Sequence, residues 1–159
     1  MTSPQAKSNM NLPLSRERFF QLRQLADDLG GKTMSETLAQ LFAAARETGL
    51  MKGHNVPGVR VNRVSDGIVI QFDDGPRASF DSAGAHALTN MVRQFVDGRN
   101  TGPHLIDLDY DFSVRRKGRG FIVTIGALTE NKSSKSWNSD LATEFADLID
   151  QAIEQHEMK

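Results

Sequence analysis

The chain has no cysteine. Disulfides, thiolate zinc ligands and a cysteine nucleophile are therefore excluded, and the absence fits a reducing compartment, so a cytoplasmic location is expected. Apolar runs are short, none approaching the roughly 18 residues of a membrane-spanning helix. The opening MTSPQAKSN lacks the apolar stretch of a secretory signal. No membrane partner is expected. His54, His86, His104 and His156 show no H-x-x-H or H-x-x-x-H spacing, so no bound metal is expected either. There is no Gly-rich phosphate loop, no Gly-x-Ser-x-Gly and no recognisable carboxylate–histidine setting. Those absences point away from an enzyme and from any cofactor, toward binding.

What is present is an ordinary globular composition: 159 residues, 25% charged and 38% hydrophobic, enough for one domain or for a small module plus a second domain. The net charge of −1 hides an asymmetry, because residues 1 to 53 sum to +2 and residues 54 to 159 to −3. A dimer would double that difference and place positive charge on the N-terminal face.

Residues 51 to 58 (MKGHNVPG) are rich in turn formers and read as a linker between a helical region and one that alternates strands with helices. Beyond them, Val59 to Val64 and Ile68 to Phe72 flank Asp66-Gly67 as a hairpin. Arg77 to Phe80 adds a short strand before a helix over about 82 to 97. The order then recurs, with one strand over Leu105 to Arg116, a basic turn, a strand over Phe121 to Leu128, a flexible connection over Glu130 to Ser136 and a helix from Ser139 to His156. An offset of 53 places Gly67-Ile68-Val69-Ile70 on Gly120-Phe121-Ile122-Val123, and an offset of 57 places Phe80-Asp81-Ser82 on Trp137-Asn138-Ser139. Two origins fit this pattern: an internal β-hairpin–helix duplication over residues 59–98 and 105–157, or two amphipathic helices that merely follow two hairpins. In both, the expected fold is α+β, with helices packed on an antiparallel sheet.

Residues 1 to 8 are expected to form a flexible tail ahead of a module over 9 to 50. From Met10 to Ser15, Met10, Leu12 and Leu14 alternate with Asn11 and Pro13, which is strand periodicity. Ser15 then caps a helix with the apolar stripe Phe19, Leu22, Leu25, Ala26 and Leu29, and Gly30-Gly31 ends it. Thr33-Met34-Ser35-Glu36 has the spacing of a capping box for a second helix, whose stripe is Leu38, Leu41, Phe42 and Ala45. One strand and two short helices expose more apolar surface than a single chain can cover, so the segment is expected to pair with a second copy.

This layout, with the run Leu22-x-x-Leu25-Ala26-x-x-Leu29-Gly30 and the opening Thr33-x-Ser35-Glu36, resembles the ribbon-helix-helix DNA-binding family (Arc- and MetJ-type) over residues 7 to 49. The resemblance implies a homodimer whose paired strands enter the major groove of double-stranded DNA, with a transcriptional repressor or plasmid regulator as the function. It implies base contacts from Asn9, Asn11 and Pro13, and phosphate contacts from Lys7, Lys32, Thr33, Met34 and Ser35. Asparagine suits the edge of adenine, where a good bidentate contact is worth roughly 1–3 kcal/mol of discrimination. Pro13 departs from the pattern, having no donor to offer, and marks the end of the ribbon. The N-terminus of the second helix, with Lys32, attracts phosphate through its N–H groups and dipole.

Outside that module, Arg115, Arg116, Lys117 and Arg119 form the densest basic cluster. Two uses are open for it: a solvated hairpin tip, or an auxiliary nucleic-acid contact with Tyr110 and Phe112 nearby for stacking. Asp107, Asp109 and Asp111 alternate with apolar residues, and so are expected to project from one face of a strand as a solvated acidic row. Alternative functions are a dimeric protein-interaction or antitoxin-like inhibitor, and a single-stranded nucleic-acid binder built on the C-terminal sheet. A higher oligomer through the C-terminal domain is compatible with the first reading.

Overall fold

The computed structural model describes residues 11–157, and the chain divides into two compact units after Leu50. Lys7, Asn9, Met10 and the tail expected over residues 1 to 8 lie outside the described residues.

In the first unit, the Ser15 hydroxyl accepts from the Arg18 N–H at 3.3 Å and opens helix α1 (Arg16–Asp28). The helix stops where Gly30 and Gly31 take φ of +99° and +76°, a region glycine enters without Cβ strain. There the N–H groups of Gly31 and Lys32 return to the Ala26 carbonyl. Helix α2 (Met34–Glu47) follows, opened by the Thr33–Glu36 capping box. Ahead of α1, Asn11 to Ser15 are exposed and form no β-ladder with other described residues.

The second unit is mixed α and β with two antiparallel sheets. Strands β1 (Val59–Val64), β2 (Gly67–Phe72) and β3 (Arg77–Asp81) form one sheet and lead into helix α3 (Ser82–Val96). Strands β4 (His104–Asp107), β5 (Phe112–Lys117), β6 (Gly120–Ile125) and β7 (Ser133–Trp137) form the other, and helix α4 (Ser139–Glu157) closes the chain. No helix among the described residues is long and apolar enough to cross a membrane.

The two halves share one register. Val59 opposite Phe72 and Val64 opposite Gly67 become, 53 residues on, Phe112 opposite Ile125 and Lys117 opposite Gly120. Ile68 lies opposite Phe80 as Phe121 lies opposite Trp137. The helix starts also correspond, since Asp81 accepts from Gly84 N–H at 2.7 Å and Asn138 from Leu141 N–H at 2.9 Å. Gly67 and Gly120 are equivalent in their steric demands, because a Cβ at either would collide with the backbone carbonyl of Phe80 or of Trp137.

A single core joins the halves. Ile68, Ile70 and Phe72 from one sheet share this core with Phe112, Val114, Val123 and Ile125 from the other, with Leu88, Val92 and Phe95 of α3, and with Phe145 and Ile149 of α4. Fully burying each such side chain is worth roughly 1.5–3 kcal/mol. The helices do not stay with their own strands: α3 packs on β5 as well as on β2 and β3, and α4 packs on β1 and β2 as well as on β6 and β7. Arg93 ties the helices together, pairing with Asp147 at 3.0 Å and with Asp150.

Three expectations need correction. Leu105 to Arg116 is two strands, because the Asp107 carboxylate accepts from the N–H groups of Asp109 and Tyr110 at 3.0 and 2.9 Å and turns the chain. The three aspartates therefore do not share a strand face: Asp111 takes φ of +60° and accepts from Leu128 N–H. The serine-rich segment expected as a flexible connection contains β7, paired along β6 from Ile125–Ser133 to Phe121–Trp137. Within the expected linker, Val56 is buried in the core.

Candidate nucleic-acid interface

Taken by itself, the first unit leaves its apolar stripe uncovered. Ala26 is its one buried hydrophobic residue among those described, whereas Leu12, Leu14, Phe19, Phe20, Leu38, Leu41 and Phe42 are exposed, Leu12 by 75% and Phe20 by 54%. Arg23 stands over the Phe19 ring at 6.0 Å and Arg16 over the Phe20 ring at 5.6 Å, so cations border the apolar surface. A hollow of about 240 Å³ lies where the helices meet, lined by Phe19, Arg23, Ala26, Asp27, Lys32, Thr33 and Met34.

The start of α2 is occupied by its own residues. Thr33 N–H donates to the Glu36 carboxylate at 2.9 Å, and Glu36 N–H donates to the Thr33 hydroxyl at 3.2 Å. Those bonds from the Thr33 backbone and hydroxyl, with the nearby Lys32 charge, hold the Glu36 carboxyl below its usual range. An ionised carboxylate therefore sits where the resemblance implies a phosphate contact from Thr33. Lys32, Met34 and Ser35 surround this corner, while Asn11 and Pro13 lie on the exposed segment ahead of α1.

The basic cluster of the second unit divides. Arg115, Lys117 and Arg119 are exposed. Arg116 is not part of a cationic tip, because alternation turns it inward: its guanidinium donates to the carbonyls of Phe95 and Asn100 and lies over the rings of Phe95 and Phe121. Of the nearby aromatics, Phe112 is fully buried, and the half-buried Tyr110 lies against Gly84, where a Cβ would strike its ring.

Alternation and register place His104, Ile106, Ser113, Arg115, Ile122, Thr124, Ser134 and Ser136 on the outer face of the four-stranded sheet. All but Ser136 line a hollow of about 260 Å³, rimmed further by Ala127 and Lys132. No carboxylate occupies an outward position of these strands, whereas α4 on the inner side carries six acidic residues and neither Lys nor Arg. The signal that could have found this face was the alternation of β5 to β7, which cluster density along the chain conceals. Among the described residues, no group of three or more His, Asp or Glu converges in a metal-like arrangement. Comparisons with protein-family models, with curated proteins and with solved structures give no match for this chain.

Proposed function

We propose that the protein is a homodimeric, sequence-specific binder of double-stranded DNA that acts in the cytoplasm as a transcriptional repressor or plasmid regulator. Binding rather than catalysis is its mechanism. The observation that carries this reading is the exposed stripe of the first unit, from Leu12 through Phe20 to Phe42, on a strand-length segment and two capped helices. Half a core of this kind is completed by a second copy of itself, with the segments around Asn11 pairing into the ribbon that a ribbon-helix-helix fold requires. Asn9, Asn11 and Pro13 would then face base edges, and Lys7, Lys32, Met34 and Ser35 the phosphates. The second unit, read as an internal duplication, would space or couple such dimers on neighbouring half-sites.

The test is selection of a duplex from a random pool, followed by footprinting and by sedimentation of the free protein. A dimer that protects a palindromic site, with affinity lost in an Asn11→Ala, Lys32→Ala double variant, supports the reading. A monomer with no duplex affinity at low salt overturns it.

A further inference from the structure

The second unit carries a surface whose chemistry is unrelated to the ribbon. On the outer face of the four-stranded sheet, two cross-strand rows run from β4 to β7. One is His104, Arg115, Ile122 and Ser136, and the other is Ile106, Ser113, Thr124 and Ser134. Lys117 and Arg119 extend the cationic end at the β5–β6 turn, and Lys132 stands at the opposite rim of the hollow. No carboxylate of the described residues pairs with Arg115, Lys117, Arg119 or Lys132. The result is a cationic border around an apolar and hydroxyl-bearing floor, with Thr124 and Ser134 hydroxyls 2.7 Å apart.

We propose that this face binds single-stranded nucleic acid. The cations match a polyanion, and the acidic helix α4 lies on the other side of the sheet, so the field points binding toward the outer face. A duplex fits the surface poorly. Four strands spaced about 4.8 Å apart span roughly 14 Å before side chains are added, more than the roughly 12 Å width of the major groove. A duplex also hides its base faces, leaving nothing for Ile106 and Ile122 to touch. A single strand presents phosphates to Arg115, Lys117, Arg119 and Lys132 and bases to the two isoleucines. The face lacks an aromatic platform, because Phe112, Phe121 and Trp137 all point into the core. Affinity therefore rests on charge, is tolerant of sequence and falls steeply with salt.

The experiment is fluorescence anisotropy of the full chain with a labelled oligothymidylate of about 20 nucleotides, longer than the roughly 4–16 that comparable sheet surfaces cover. Arg115→Ala, Lys117→Ala and Arg119→Ala together are expected to weaken binding at least about tenfold and to flatten the log–log salt slope by about 2, at roughly 0.7 for each phosphate no longer neutralised. Ile122→Asp is expected to weaken binding as well, and all these exposed or half-exposed positions leave the circular dichroism unchanged. Asn11→Ala with Lys32→Ala is expected to leave this binding intact. Unchanged affinity in the triple variant, equal displacement by polyglutamate, or no affinity in the parent chain at low salt would each overturn the proposal. Loss confined to the Asn11/Lys32 variant would also overturn it while sparing the ribbon reading. Oligothymidylate binding without any selected duplex would do the reverse.

Discussion

Arg116 reaches from β5 to the last turn of α3, where its guanidinium donates to the Phe95 carbonyl at 3.1 Å and lies 5.2 Å from the centre of the Phe95 ring. A helix C-terminus leaves carbonyls short of intrahelical partners, and a planar cation both adds a donor to the Phe95 carbonyl, which also accepts from Gly98 N–H, and stacks on the ring beside it. Arg116→Ala is expected to destabilise the second unit by about 2 kcal/mol, combining the loss of a charged hydrogen bond with the loss of stacking on the ring. Arg116→Lys should recover only part of that. Urea denaturation of the variants checks both, and Arg115→Ala should lie within about 0.5 kcal/mol of the parent as a surface change. Equal effects at 115 and 116 would contradict the division of the cluster.

Gly67 and Gly120 make the same demand in the two halves. Alanine at either position drives a methyl group into the carbonyl of Phe80 or Trp137, neither of which can move without breaking its ladder. Each substitution is expected to cost about 1–3 kcal/mol, the usual range for overpacking, and thermal melts of the two variants should be shifted alike.

The start of α2 is expected to respond to pH. Glu36 has a lowered pKa because its carboxylate accepts from the backbone and hydroxyl of Thr33, helped by Lys32. A carboxylate lowered in the folded state contributes stability above its unfolded pKa, and that contribution is lost as pH falls through the folded value. Helicity of the first unit should therefore drop at acid pH below the ordinary glutamate range. Glu36→Gln should remove that step while keeping the helix at neutral pH. Thr33→Ala, which deletes the capping hydroxyl, should cost about 1 kcal/mol at neutral pH.

Phe42 is 45% exposed in the single chain. Were it to remain so in solution, Phe42→Asp would change stability by no more than about 0.5 kcal/mol. If a second copy covers it, as proposed, the substitution places a charge in an apolar interface, and dimer dissociation should rise by about a hundredfold or more. Sedimentation equilibrium over a range of concentrations separates the two outcomes.

Local signals in the sequence carried much of the architecture. Ser15, Gly30-Gly31 and the Thr33–Glu36 spacing mark the helix ends of the first unit because caps are short-range chemistry, and Asp66-Gly67 marks a hairpin for the same reason. The 53- and 57-residue offsets place Phe121 on Ile68 and Trp137 on Phe80, but the pairing of Phe121 with Trp137 is seen only in the structure. What escaped was decided by tertiary context or by a polar sequence. Ser133 to Ser136 lacks strand-forming bulk and becomes β7 because β6 offers it a ladder. Asp107 breaks what looked like one strand by capturing two backbone N–H groups, an alternative that alternation cannot register. The inward turn of Arg116 depended on the strand parity set by that break, and the outer sheet face became visible only once four strands were in order.

The exchanged packing of α3 and α4 has a consequence for how the second unit comes into being. Neither half covers its helix and strands completely by itself, since each helix also lies across strands of the other half. A chain cut between Asp97 and Pro103 should yield two fragments that are each sticky and unstructured, yet able to restore the whole when mixed. During synthesis, the earlier half can cover the face of α3 that meets β5, and the side of β1 and β2 that meets α4, only after those later elements have left the ribosome.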